Sequence, residues 1–111
     1  MLTKATGKVY AIQYTPHDLA SAQDFGQLEY LLKTSLDQTF APQEVLSSFR
    51  EKLEGFTDND YLLLVGDPVA MALAVNVAAE ANSGRAKVLK WSKKYKRYYP
   101  IEIDFYTNPT L

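Results

Sequence analysis

The stretch Asp60–Trp91, DYLLLVGDPVAMALAVNVAAEANSGRAKVLKW, most constrains what this chain can fold into. Tyr61 to Val65 is a short continuous apolar run between turn-forming TDND and GDP, the pattern of a strand buried on both faces of a sheet. Asp67 is placed to cap a helix, with Pro68 at the first helical position, where its missing N–H costs nothing. From Val69 to Ala81 the only charged residue is Glu80, so the helix is apolar nearly all round and is expected to be buried on more than one side until Gly84 ends it. A second strand, ending at Trp91, follows. Strand, crossover helix and strand predict one right-handed βαβ unit with parallel strands.

The flanking segments extend this unit into a sheet. Lys8–Tyr14 alternates as a strand, and residues 15–26 read as an ordered loop with one helical turn at 18–23. Gln27–Lys33 reads as a strand because Leu28, Tyr30 and Leu32 share a face; a helix over the same residues is the rival reading. Pro42 opens a helix to Glu54, with Val45, Leu46, Phe49 and Leu53 as its apolar stripe and Gly55 as its stop. Tyr98–Tyr106 alternates again, and Pro100 marks it as an edge strand. The expectation is a single α/β domain over 1–111, with 1–7 and 107–111 frayed. Its order is ββαβαββ: a mixed sheet of about five strands, the central right-handed βαβ unit and a C-terminal β-hairpin.

Composition removes several classes of function. With no cysteine and one histidine, His17, the chain lacks thiol nucleophiles, thiolate metal sites and the usual players of metal-assisted chemistry, so a non-enzyme without cofactor or metal is expected. His17 has no histidine, cysteine or serine partner nearby in sequence and is given no role. Asp58 and Asp60 enter the central strand while Asp67 leaves it, so they serve as turn and cap residues rather than one ion site. No apolar run is long enough to span a bilayer, and no membrane partner is expected.

Charge is segregated. Between Arg85 and Arg97 lie seven basic residues and no acidic one, against five basic and thirteen acidic elsewhere. With Lys93–Lys94 as a two-residue tip, Ser92 pairs with Tyr95, Trp91 with Lys96, Lys90 with Arg97, Leu89 with Tyr98 and Val88 with Tyr99. Ala86, Val88, Tyr99 and Ile101 then share one face. The other gathers Lys87, Leu89, Trp91, Lys96 and Tyr98, rings interleaved with cations as single-stranded nucleic acid requires. Lys87, Lys90, Trp91, Lys93, Lys94, Tyr95, Lys96, Arg97 and Tyr98 are the candidate binding residues for nucleic acid or an acidic protein partner. Two plainer readings compete: rings covered by the 42–54 helix with lysines snorkelling around them, or lysines guarding an exposed edge. Two further expectations are weaker in the residues. VGDP sets a glycine and a helix N-terminus after a strand, where a small anionic ligand could bind, although Asp67 occupies the anion's place and a capped helix start is the better reading. The alanine-rich 69–81 helix is either a homodimer seam or buried between the sheet and the 42–54 helix, the latter being favoured.

DYLLLVGDPVA at 60–70, SGRAKVLKW at 83–91 and RYYPIEI at 97–103 together resemble a set of small proteins encoded by tailed bacteriophages, with FG at 25–26 as a further point of likeness. The resemblance implies a phage gene product working in the cytoplasm of an infected bacterium. It carries no assigned catalytic residue.

Overall fold

The computed structural model describes residues 7–33 and 41–107. The polar segment 34–40 lies outside the described residues, as do 1–6 and 108–111, all but Gly7 and Thr107 of the ends expected to fray. The elements follow the expected order: β1 (Lys8–Gln13), a short 3-10 helix (Ala20–Phe25), β2 (Gln27–Leu32), α1 (Pro42–Lys52), β3 (Tyr61–Leu63), α2 (Pro68–Ala81), β4 (Arg85–Ser92) and β5 (Arg97–Asp104). The strands form one mixed sheet in the spatial order β2-β1-β3-β4-β5, the first four parallel and β5 antiparallel to β4.

Period-two alternation divides the core between the two faces of this sheet. Tyr10, Ile12, Leu31, Leu62, Ala86 and Val88 meet Val45, Phe49 and Leu53 of α1 and Ala70, Ala74, Val77 and Ala78 of α2 on one face. Val9, Ala11, Leu63, Leu89 and Tyr98 meet Leu19 and Ala22, around the 3-10 helix, on the other. The step from β1 to β2 runs one way across the sheet with its connection on the second face. The steps from β2 to β3 and on to β4 run the other way, with α1 and α2 on the first. Reversing direction and face together gives every parallel crossover the same hand.

The elements end where their local chemistry ends. The Asp67 carboxylate accepts from the N–H groups of Val69 (2.9 Å) and Ala70 (3.1 Å), capping α2 as its sequence predicts. At the other end Gly84 takes φ +87° while its N–H donates to Ala79 O, and a Cβ there would lie 2.6 Å from the Tyr106 ring. α2 is apolar over most of its surface because it packs on the sheet and against α1 together: Ala74 and Ala78 are wholly buried, while Val69, Ala72, Asn76 and Glu80 face water. β3 is shorter than the apolar run suggests: the Val65 N–H turns back to Leu63 O, which takes it out of the ladder. α1 stops at Lys52 rather than Glu54, closed by the Phe56 N–H donating to Leu53 O, while the Lys52 ammonium donates to Leu31 O at 2.6 Å and ties it to β2.

The hairpin tip corrects the sequence reading. Ser92 pairs with Arg97, Trp91 with Tyr98, Lys90 with Tyr99, Leu89 with Pro100 and Val88 with Ile101, so residues 93–96 form a four-residue loop. The two-residue turns that suit a hairpin need positive φ at the first or at both central positions, which would fall on Lys93 and Lys94; in the longer loop the one positive φ falls on Lys96, +57°. Its Lys96 N–H donates to Ser92 O and its Tyr95 N–H to Ser92 Oγ. The slip is two residues, so every side chain that stays in the ladder keeps its face while its partner changes. β5 is the edge that Pro100 foretells. The Phe105 N–H donates inward to Gly84 O, so alternation turns the Pro100 nitrogen outward, where its missing donor leaves a gap in the edge.

Candidate functional site

Because β1, β3 and β4 run parallel, the segments that leave them all emerge at one end of the sheet, together with the hairpin tip. Open α/β sheets carry their ligand sites at this end, where the winding direction reverses, here between β1 and β3. That switch point is closed. Gln13, at the end of β1, is buried and its Oε1 accepts from the Asp67 N–H at 2.6 Å. Gly66 lies against it at φ +104°, and a Cβ at this position would come within 2.4 Å of Gln13 Cβ. With Asp67 holding the next donors, side chains of the protein itself occupy the helix N-terminus. VGDP is thus a capped, close-packed turn, and its reading as a small-ligand site does not survive the geometry.

A few residues away, on the face of the 3-10 helix, the same end opens into a cleft of about 480 Å³ lined by His17, Asp18, Val65, Trp91 and Tyr98. Three strands deliver its walls: His17 and Asp18 follow β1, Val65 follows β3, and Trp91 and Tyr98 close the β4–β5 hairpin. Trp91 and Tyr98 stand edge to face, with ring centroids 5.0 Å apart and planes at 67°. Tyr98 is the inner wall, 9% exposed, whereas 43% of Trp91 faces water. Burial, and then the charge of Asp18, raise the Tyr98 phenol above its ordinary pKa, so it stays neutral. Asp18 is held by its own turn, Oδ1 accepting from the Ala20 N–H at 2.8 Å. The His17 N–H donates to Thr15 Oγ1.

Beyond the cleft the loop carries Lys93, Lys94, Tyr95 and Lys96, with Arg97 at its base, all exposed. Tyr95, 63% exposed, has Lys94 Nζ at 5.3 Å and Arg97 Cζ at 6.0 Å from its ring centroid. The ion pairs among the described residues are Lys8–Glu29, Arg50–Glu80 and Arg85–Asp58, so none draws on the cations from Lys90 to Arg97. The basic run therefore splits. At its start, Arg85 grips Asp58 through Nε and Nη2 and, with Asn82, holds the Asp58 carboxyl below the usual carboxylate range. Lys87 lies 5.2 Å over the Tyr61 ring and opposite Glu102 in the ladder.

Of the nine residues singled out from sequence, the structure gathers Trp91 and Tyr98 in the cleft and Lys93, Lys94, Tyr95, Lys96 and Arg97 at the tip. Lys90 stands on the opposite face of the hairpin, paired with Tyr99, and Lys87 lies back along β4. Leu89, expected among the exposed rings, is wholly buried, and Lys96 belongs to the loop rather than the ladder. The helix 42–54 does not cover the rings: α1 packs on the other face, and what shields Tyr98 and Leu89 is the segment around Leu19 and Ala22. His17, Asp18 and Val65 escaped sequence reasoning as site residues. Their signal is positional, since each follows a parallel strand at its carboxyl end.

The matched family model is that of the phage Pam3 gp32-like protein, over residues 5–105. The chain belongs to this family. Residues 5–105 contain the whole described sheet, both helices, the cleft and the tip, so the Pam3 gp32-like match concerns the full fold. No match was found among curated proteins or among solved structures. The phage origin that the motifs at 60–70, 83–91 and 97–103 suggested is thereby shown at the level of a small phage protein. Among the described residues no helix is long and apolar enough to cross a membrane, and no group of three or more acidic or histidine side chains is placed to hold a metal ion.

Proposed function

We propose that this small phage protein is a non-catalytic module that binds single-stranded nucleic acid through the tip of its β4–β5 hairpin. The observation that carries the reading is the pairing, at one end of the sheet, of exposed rings with cations that form no ion pair among the described residues: Trp91 and Tyr95 beside Lys93, Lys94, Lys96 and Arg97. Rings with one face in water accept a stacked base, and ammonium and guanidinium groups around them follow the phosphates. A duplex offers no such unstacked base.

Titration with a single-stranded oligonucleotide, followed by the emission of Trp91, the sole tryptophan, tests the reading. Quenching with an affinity that falls steeply with salt is expected, because each neutralised phosphate releases counterions. An emission indifferent to the strand at low salt would overturn it. The same cations also suit an acidic host protein. Capture from bacterial lysate that withstands nuclease would favour that partner, whereas capture abolished by nuclease favours the strand.

A further inference from the structure

Trp91 explains why a base would stack at this end of the sheet, but stacking does not choose among bases. The cleft beneath the ring holds a group that can choose. Asp18 is a carboxylate in a cleft whose other walls are Val65, the rings of Trp91 and Tyr98 and, next to it in the chain, His17. Its Oδ1 is fixed by the Ala20 N–H, and among the described residues Oδ2 takes no hydrogen bond, which leaves an oriented acceptor with its second oxygen open. An acid in a site for a polyanion is unfavourable towards phosphate, so beyond its own turn the favourable contact open to Asp18 is with a base.

An ionised carboxylate only accepts hydrogen bonds, and it does so best from two neighbouring donors. The bases differ sharply in this respect. Guanine presents N1–H and the 2-amino group side by side on its Watson–Crick edge. Adenine and cytosine each offer an amino group flanked by a ring-nitrogen acceptor that repels a carboxylate, and thymine and uracil offer one N–H between two carbonyls. Unstacked bases of single strands are read on this edge.

We infer that the cleft is a guanine-selective base pocket: an unstacked guanine lies against Trp91 with its Watson–Crick edge on Asp18, while the tip cations hold the flanking phosphates. This rests on the single-strand reading above and adds a sequence preference to it. The volume of about 480 Å³ is ample for a base. The neutral Tyr98 forms the floor without adding a second negative charge.

The experiment compares a short oligothymidylate with the same strand carrying one central guanine, each titrated against the intact protein. The guanine strand is expected to bind about tenfold more tightly, the scale of one bidentate base contact. Inosine at the same position, which lacks the 2-amino group, removes most of that gain without altering the protein. Asp18→Asn brings the ratio of the two affinities to about one, because an amide offers one acceptor and sets a donor against the guanine edge; it keeps an oxygen for the Ala20 N–H, so the turn is retained. Free guanosine monophosphate, lacking the flanking phosphates, should bind far more weakly than the strand. Equal affinity for the two strands, with both bound, would overturn the guanine pocket and leave single-strand binding standing. Absence of binding to either strand would overturn both.

Discussion

At the scale of single residues, Trp91 separates binding from folding. Nearly half of its surface faces water and its ring leans on Tyr98 rather than filling the core, so Trp91→Ala should leave the fold intact. Binding of a labelled single strand, read by anisotropy, should weaken by about 1–3 kcal/mol. Asp67 is the converse case. Its carboxylate holds two donors of the first turn of α2, so Asp67→Ala should lower stability in urea by about 0.5–2 kcal/mol and leave strand binding unchanged. Tyr10 and Tyr98 make stability sensitive to alkali. Burial raises both phenols above their ordinary value, with Asp60 adding to the effect at Tyr10 and Asp18 at Tyr98. A raised folded-state pKa favours the protonated form, so their contribution is complete below about pH 10 and is lost as pH rises beyond it. The urea midpoint should fall above that pH, and less steeply in Tyr98→Phe.

Among the elements, the hairpin loop carries the electrostatics. Changing Lys93 and Lys94 together to Gln should reduce the slope of log affinity against log salt by about 1.4, the share of two phosphate contacts on a single strand. Stability should barely move, since both side chains are exposed. The loop also marks a boundary of what the sequence discloses. Alternation in Tyr98–Tyr106 assigned each side chain to its face, because the period of two holds whatever the turn. It could not assign partners, which depend on loop length, and Lys-Lys carries no turn signature that sets one. α2 was legible from end to end because a cap, a proline, an apolar body and a glycine agree. The 3-10 helix was legible only as one turn in a loop, and with it went the covering of Leu89 and Tyr98: nothing in TPHDLASAQDFG says which face of a sheet it will shield.

For the whole molecule, the order ββαβαββ follows from local signals, but the spatial order β2-β1-β3-β4-β5 does not, since no residue pattern along a strand names its neighbours. The site depends on that spatial order. His17, Asp18, Val65 and Trp91 lie far apart in sequence and meet only because three parallel strands end together. The same arrangement sets the tempo of folding. β1 is flanked by two strands that follow it in the chain, so Val9 pairs with Leu28 on one side and with Tyr61 on the other. Pairing with β3 closes a long loop before any contact rewards it, whereas β4 and β5 are joined by four residues, a microsecond event for an isolated hairpin. The slow step should therefore be the insertion of β1 between its neighbours. Until then Val9, Ala11 and Ile12, wholly buried in the finished sheet, remain in water as an unpaired apolar strand, the species most open to aggregation and to capture by a chaperone.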